Sequence, residues 1–126
     1  MIKAIVTGAG GRMGGRIASL IAETDRIELV GAVEQKGHPF IGKDIGERLG
    51  LGPIGVVIED DLASCIGRGD VVIDFTSREA STDHLRIAAA KGKAIVIGTT
   101  GFTIDEMKKI RDMAGAVRCV IAPNMS

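Results

Sequence analysis

Thr7-Gly8-Ala9-Gly10-Gly11-Arg12-Met13-Gly14 joins two runs of different hydrophobic periodicity. Before it, Ile2 to Thr7 is almost continuously apolar, the pattern of a strand covered on both faces. After it, Met13, Ile17, Leu20 and Ile21 fall at i, i+4, i+7 and i+8, one face of a helix over Arg12 to Glu23. In a strand–turn–helix of this kind each glycine has a task. Gly8 permits the tight turn, Gly11 lets backbone approach a phosphate, and Gly14 lets helix and strand pack closely. The helix start offers unpaired N–H groups and a partial positive charge to an anion. Arg12 adds a guanidinium that can grip phosphate oxygens with two bonds. Glycine-rich turns are common, and the flanking strand and helix give this one its meaning. A dinucleotide pyrophosphate is expected over Gly8 to Gly14.

The same alternation continues along the chain. Glu28 to Val33, Val56 to Ile58, Val71 to Phe75, Ala94 to Ile97 and Val117 to Ile121 read as further strands. Ser77 to Lys91 reads as a helix stopped by Gly92, and Leu62 to Ile66 as a short helical turn. Thr103 to Ala114 reads as a third long helix, opened by the capping box Thr103-Ile104-Asp105-Glu106. Parallel neighbours need crossovers, so the expected fold is α/β: a Rossmann-type doubly wound parallel sheet of about six strands with helices on both faces. Right-handed crossovers make 3-2-1-4-5-6 the simplest strand order. Gln35 to Pro53, with five glycines and two prolines in nineteen residues, is expected to be a mobile flap or a long solvated loop. No internal repeat and no second domain are visible.

A second feature of dinucleotide sites is an acid at the end of the second strand, about twenty residues past the glycines. Glu34 stands twenty residues after Gly14, directly behind Val33. A carboxylate there accepts both hydroxyls of an adenosine ribose and disfavours a 2′-phosphate by repulsion. Other strand ends are polar too: Asp74-Phe75-Thr76-Ser77, Gly98-Thr99-Thr100-Gly101 and Ala122-Pro123-Asn124-Met125-Ser126. Each alone is an ordinary turn. In the expected topology all three line one crevice with the glycine turn.

Composition narrows the field. Sixteen basic and sixteen acidic residues balance, which gives no electrostatic case for a nucleic-acid partner. Tyr and Trp are absent, which removes the Tyr-x-x-x-Lys acid of short-chain dehydrogenases and any aromatic platform for single strands. A P-loop is excluded, because Gly42-Lys43-Asp44 and Gly92-Lys93-Ala94 lack the hydroxyl residue after the lysine. No segment approaches membrane-spanning length, and Met1 leads straight into a strand pattern rather than a signal sequence, so a cytoplasmic protein is expected. Cys65 and Cys119 lie apart and read as small buried hydrophobes, and no metal cluster is visible. His38 and His84 are likewise isolated, with surface or capping roles expected of both.

Gly8-Ala9-Gly10-Gly11-Arg12-Met13-Gly14, Val33-Glu34, Asp74-Phe75-Thr76, Gly98-Thr99-Thr100-Gly101-Phe102 and Ala122-Pro123-Asn124-Met125-Ser126, in this order, resemble dihydrodipicolinate reductase of lysine biosynthesis. The resemblance covers the whole chain. It implies that Gly8, Ala9, Gly10, Gly11, Arg12 and Met13 hold the pyrophosphate of NADH or NADPH and Glu34 the adenosine ribose. It places Gly98, Thr99 and Thr100 along the nicotinamide, with Thr100 near the substrate carboxylate, and Ala122, Pro123, Asn124 and Met125 around the nicotinamide pocket through backbone groups. It further implies a small dicarboxylate substrate and a homotetrameric full-length enzyme.

The chain departs from the family pattern in two ways. Many members carry an arginine straight after the ribose acid, where it meets the 2′-phosphate of NADPH. Here Gln35-Lys36 follow, which leaves NADH and NADPH both open. The family's His-His-x-x-Lys and Pro-Ser-Gly-Thr motifs are also missing. They belong to a second domain that begins after the position of Ser126. By the resemblance, residues 1–126 are a dinucleotide-binding domain with no catalytic residue of their own, expected to bind cofactor but not to turn over alone. A stand-alone nucleotide-sensing module fits the turn and Glu34 equally well. An S-adenosylmethionine methyltransferase also uses a glycine turn and an acidic ribose residue.

Overall fold

A computed structural model describes residues 1–98, 104, 105, 108 and 119–121. Its central strand is β1 (Ile2–Thr7), whose last four residues are buried. Parallel neighbours flank it, β2 (Ile27–Val33) on one side and β4 (Val71–Asp74) on the other. The short β3 (Ile58–Glu59) lies outside β2, while β5 (Ala94–Ile97) and β6 (Cys119–Ile121) extend the other edge. The order is β3-β2-β1-β4-β5-β6, the doubly wound arrangement expected.

Successive side chains of β1 point to opposite faces. Ala4 and Val6 join Ala18 and Ile21 of helix α1 (Arg12–Ala22) in one core. Ile5 faces the other way, into a core with Leu62 and Cys65 of α3 (Leu62–Cys65), Ile66 of the 3₁₀ turn that follows, and Leu85 and Ala88 of α4 (Arg78–Ala90). Both faces are therefore covered, and the near-continuous apolar runs follow from that. Cys65 is fully buried in the second core, as its isolation suggested.

Register aligns the strand ends. Glu59, Val33, Thr7, Asp74, Ile97 and Ile121 pair side by side across all six strands. Glu34, Gly8, Phe75 and Gly98 each come one residue later, so the expected site residues leave the sheet along one edge. A bulge adjusts β2 to this row: Ala4 pairs with Leu29 but Ile5 with Gly31, leaving Val30 without a partner on β1.

The segment 35–53 differs from expectation. It contains helix α2 (Ile45–Arg48), whose Ile45 and Gly46 are buried. Asp44 ties the segment together, its carboxylate accepting from the N–H groups of Gly46 (2.8 Å), Ile54 (3.1 Å) and Gly55 (2.8 Å). Those backbone bonds, led by that from Ile54, hold the Asp44 carboxyl below its ordinary range despite the opposing desolvation. Gly42 N–H donates to Ile58 O and Ile58 N–H donates to Lys43 O (both 2.9 Å), and Asp44 bridges Val57 antiparallel. This is an anchored Asx-capped unit rather than a free flap. Asp44-Ile45-Gly46-Glu47 is itself a capping signal. The third strand accordingly falls at Ile58–Glu59 instead of Val56–Ile58, since Val56 and Val57 pair with this segment. Of the helix expected over Thr103 to Ala114, Ile104, Asp105 and Lys108 are helical and the rest lies outside the described residues.

Arg26, in the turn before β2, has φ 74°, the one non-glycine residue in the left-handed region among those described. Left-handed backbone costs an L-residue about 1–2 kcal/mol, part of which glycine returns through its looser unfolded chain. Arg26→Gly is expected to raise the urea midpoint, by the equivalent of about 0.5–1 kcal/mol.

Candidate functional site

The glycine turn is built as its sequence requires. Gly8 has φ +75° and lies so close to the next strand end that a Cβ there would come within 2.0 Å of the Phe75 carbonyl oxygen. Its N–H and that of Ala9 both donate to the Val33 carbonyl (2.9 and 3.2 Å), and Gly11 N–H donates back to Gly8 O (3.0 Å). Gly14 is crowded by the turn itself and not by the strand: a Cβ there would stand 2.0 Å from Gly8 O. Gly11 is open, its nearest neighbour for a Cβ being Gly8 O at 3.4 Å.

Gly11 is also the N-cap of α1, and no side chain caps that helix or places an acid in its first turn. The three other α-helices whose starts are described are capped, α2 by Asp44, α3 by Asp61 and α4 by Ser77. The positive end of α1 is thus left to whatever occupies the cleft.

That cleft, of about 390 Å³, is lined by Gly8, Gly11, Val33, Glu34, Gln35, His38, Phe75, Thr76, Ser77, Ala80 and His84. Glu34 reaches back over the turn. Its Oε2 accepts from Gly10 N–H (2.8 Å) and its Oε1 from Gln35 N–H (3.0 Å), with the side chain only 11% exposed. Each carboxylate oxygen keeps acceptor capacity on the cleft side. Arg12 is exposed and lines a second hollow of about 240 Å³ behind the turn, with Phe40 and Arg48. Met13 is half-buried and lines neither hollow. Gly98 lies under Phe75, its place for a Cβ only 2.2 Å from the ring, and its N–H donates to Asp74 O (2.8 Å). Thr99, Thr100, Ala122, Pro123, Asn124 and Met125 lie outside the described residues.

Beneath the cleft is a polar cluster that no local motif announced. Asp74 is fully buried. Its Oδ1 accepts from the Thr7 hydroxyl, from the Thr76 hydroxyl (2.9 Å) and from His84 Nδ1 (2.8 Å), while Oδ2 accepts from the Ser81 hydroxyl. Burial pushes the Asp74 carboxyl up, but the bonds from His84, Ser81 and Thr7, with the charge interaction of His84, outweigh it and hold the group below its ordinary value. Because a carboxylate only accepts, His84 donates from Nδ1 and turns its other edge toward the cleft. The available signal was the spacing of Ser81, His84, Leu85 and Ala88, which puts two polar groups on the inward stripe of α4. His84 is therefore a cleft residue held by Asp74 and not a surface or capping one, while His38 accepts from Phe40 N–H as a local cap and also lines the cleft.

Chemically, the site offers backbone donors and an uncapped helix for an anion, one acid for hydroxyls, and a rigid floor. A pyrophosphate with an adjoining ribose fits this donor and acceptor set. Fold and site together define a Rossmann-type nucleotide-binding domain.

The family model described as dihydrodipicolinate reductase, N-terminus, matches residues 2–125, and the chain belongs to that family. It is 59% identical over all 126 residues to the 4-hydroxy-tetrahydrodipicolinate reductase of Syntrophus aciditrophicus (strain SB), and 51% identical to that of Anaeromyxobacter dehalogenans (strain 2CP-1 / ATCC BAA-258). In each case it spans 47% of the relative's length. Among solved structures, a dipicolinate-bound dihydrodipicolinate reductase from Paenisporosarcina sp. TG-14 superposes with a TM-score of 0.78 at 24% identity, over 98% of this chain and 48% of the other. A biliverdin reductase from Synechocystis sp. PCC 6803, solved with biliverdin and NADP+, shares the fold at a TM-score of 0.72 and 18% identity, over 94% of this chain and 36% of its own.

Proposed function

We propose that residues 1–126 are the dinucleotide-binding domain of a 4-hydroxy-tetrahydrodipicolinate reductase that uses NADH or NADPH in lysine biosynthesis. The observation that carries this reading is the uncapped start of α1 beside Glu34, both on the sheet's carboxyl edge. Gly8, Ala9, Gly10 and Gly11 form the turn over which the pyrophosphate lies, their own N–H groups being bonded within the protein; the N–H groups of Arg12 and Met13 at the open start of α1 donate to it, and the Arg12 side chain adds charge. Glu34 takes the adenosine ribose. Gly98, Thr99 and Thr100 border the nicotinamide, with Thr100 toward the substrate carboxylate, and Ala122 to Met125 close the nicotinamide pocket.

The bound cofactor supplies the hydride. The chain's own residues bind and orient it, and its buried Asp74 keeps the cleft floor fixed. The proton donor and most of the charge that holds a small dicarboxylate lie outside residues 1–126 in this proposal, as do the contacts of a homotetramer. A cytosolic location is part of the same reading; among the described residues no helix is long and apolar enough to cross a membrane.

Titration calorimetry tests it. NADH or NADPH is expected to bind and S-adenosylmethionine is not; binding of the latter alone would overturn the proposal. Glu34→Gln keeps an acceptor for Gly10 N–H but removes the charge. It is expected to weaken NADH by about 1–2 kcal/mol and NADPH by less, since the repulsion of the 2′-phosphate goes with it. Equal losses for both cofactors would speak against the ribose role.

A further inference from the structure

His38 has one nitrogen committed and the other available. Its Nδ1 accepts the N–H of Phe40 at 3.1 Å, so in the neutral ring the proton sits on Nε2. Nε2 stands 3.9 Å from Glu34 Oε2, beyond hydrogen-bond distance, and both side chains line the cleft. The ring is held in place from two sides. It lies over Gly10, where a Cβ would come within 2.7 Å of its Cε1. Its other side meets Phe40 edge to face at 4.9 Å, and Phe40 is covered in turn by the Arg48 guanidinium at 3.7 Å.

A fixed N–H donor thus faces the same space as a fixed carboxylate acceptor, with a gap between them too wide for a direct bond. A hydroxyl oxygen set beside the pair, within bonding distance of both, bridges it, because it donates to one and accepts from the other. We infer that His38 is a specificity-determining residue that reads the 2′ position of the adenosine ribose, donating from Nε2 to the 2′-oxygen while Glu34 accepts from the sugar. This rests on the dinucleotide reading above. The same N–H donates to a 2′-phosphate oxygen when the cofactor carries one, and a bond to a charged acceptor is the stronger of the two. His38 therefore offsets the repulsion of Glu34, and the chain needs no arginine beside Glu34 to accept NADPH. Gln35, also on the cleft wall, is neutral and cannot do so by charge.

His38→Asn separates this role from a structural one. Asparagine at this position can keep the Asx-type acceptor for Phe40 N–H but does not reach the ribose. Calorimetry with NADH and NADPH on the wild-type protein and the variant reads the ratio of the two affinities. NADPH is expected to lose about fivefold more than NADH in the variant. An unchanged ratio, with wild-type binding intact, would overturn the role of His38 and leave the dinucleotide reading standing. Failure of the wild-type protein to bind either cofactor would overturn both.

Discussion

Gly14→Ala is expected to lower the unfolding free energy by about 3 kcal/mol or more, whereas Gly11→Ala costs only about 1 kcal/mol. The two glycines are three residues apart in one turn, and their surroundings set the difference. At Gly14 the new methyl would meet Gly8 O at 2.0 Å and Gly8 C at 2.6 Å, both backbone atoms. Gly8 cannot retreat, since its N–H is bound to Val33 O and its Cα abuts the Phe75 carbonyl. The strain passes into β2 and β4 together. At Gly11 the methyl has 3.4 Å to its nearest neighbour and the backbone, at φ −85° and ψ 174°, suits alanine. Urea unfolding checks the stability difference. Calorimetry checks the other half of the expectation: Gly11→Ala folds, yet binds NADH at least about tenfold more weakly, because its methyl occupies the approach of the phosphate.

Asp74→Ala is expected to cost about 3–5 kcal/mol, among the largest losses available outside the apolar cores. It removes the carboxylate that receives the hydroxyls of Thr7, Thr76 and Ser81 and the Nδ1–H of His84. Asp74→Asn keeps the shape and one acceptor and is expected to cost less, about 1–3 kcal/mol. Its acid behaviour is the sharper readout. The folded state holds the Asp74 carboxyl below its unfolded value. Its contribution is therefore fully present above the unfolded carboxylate range and is lost as the pH falls through the lower folded value, below about pH 4. The stability of the Asn variant is expected to fall less steeply over that window than that of the wild-type protein. Parallel curves would show that Asp74 is not the group that titrates.

What could be read from sequence follows the range of the interactions. The strands and α1 were legible because their periodicity is local, and so was Glu34, whose signal is a fixed distance from the glycines. Gly92 marked the end of α4, which closes at Ala90 with Gly92 in the left-handed region. Helix α2 was legible in principle from Asp44 and Glu47, but the glycines around it outweighed a four-residue signal. The Asp74 cluster was not legible, since Thr7, Asp74 and His84 meet only through the pairing of β1 with β4 and the packing of α4. The bulge at Val30 is a third kind of case. Alternation counted from Leu29 would carry residue 34 to the α4 face. The extra residue shifts the phase, so that Ala32 shares the α1 core with Leu29 and Glu34 emerges beside Gly10.

The uneven capping of the helices has a thermodynamic consequence. With α1 left open where α2, α3 and α4 are closed by their own side chains, an anion seated there acts as part of the fold as much as cargo. Ligand and folding equilibria are then linked by mass action. A ligand at one hundred times its dissociation constant adds about 2.7 kcal/mol to the native state. For a domain whose whole margin is on the order of 10 kcal/mol, the supply of nucleotide becomes one of the variables that decide how much of the protein is folded.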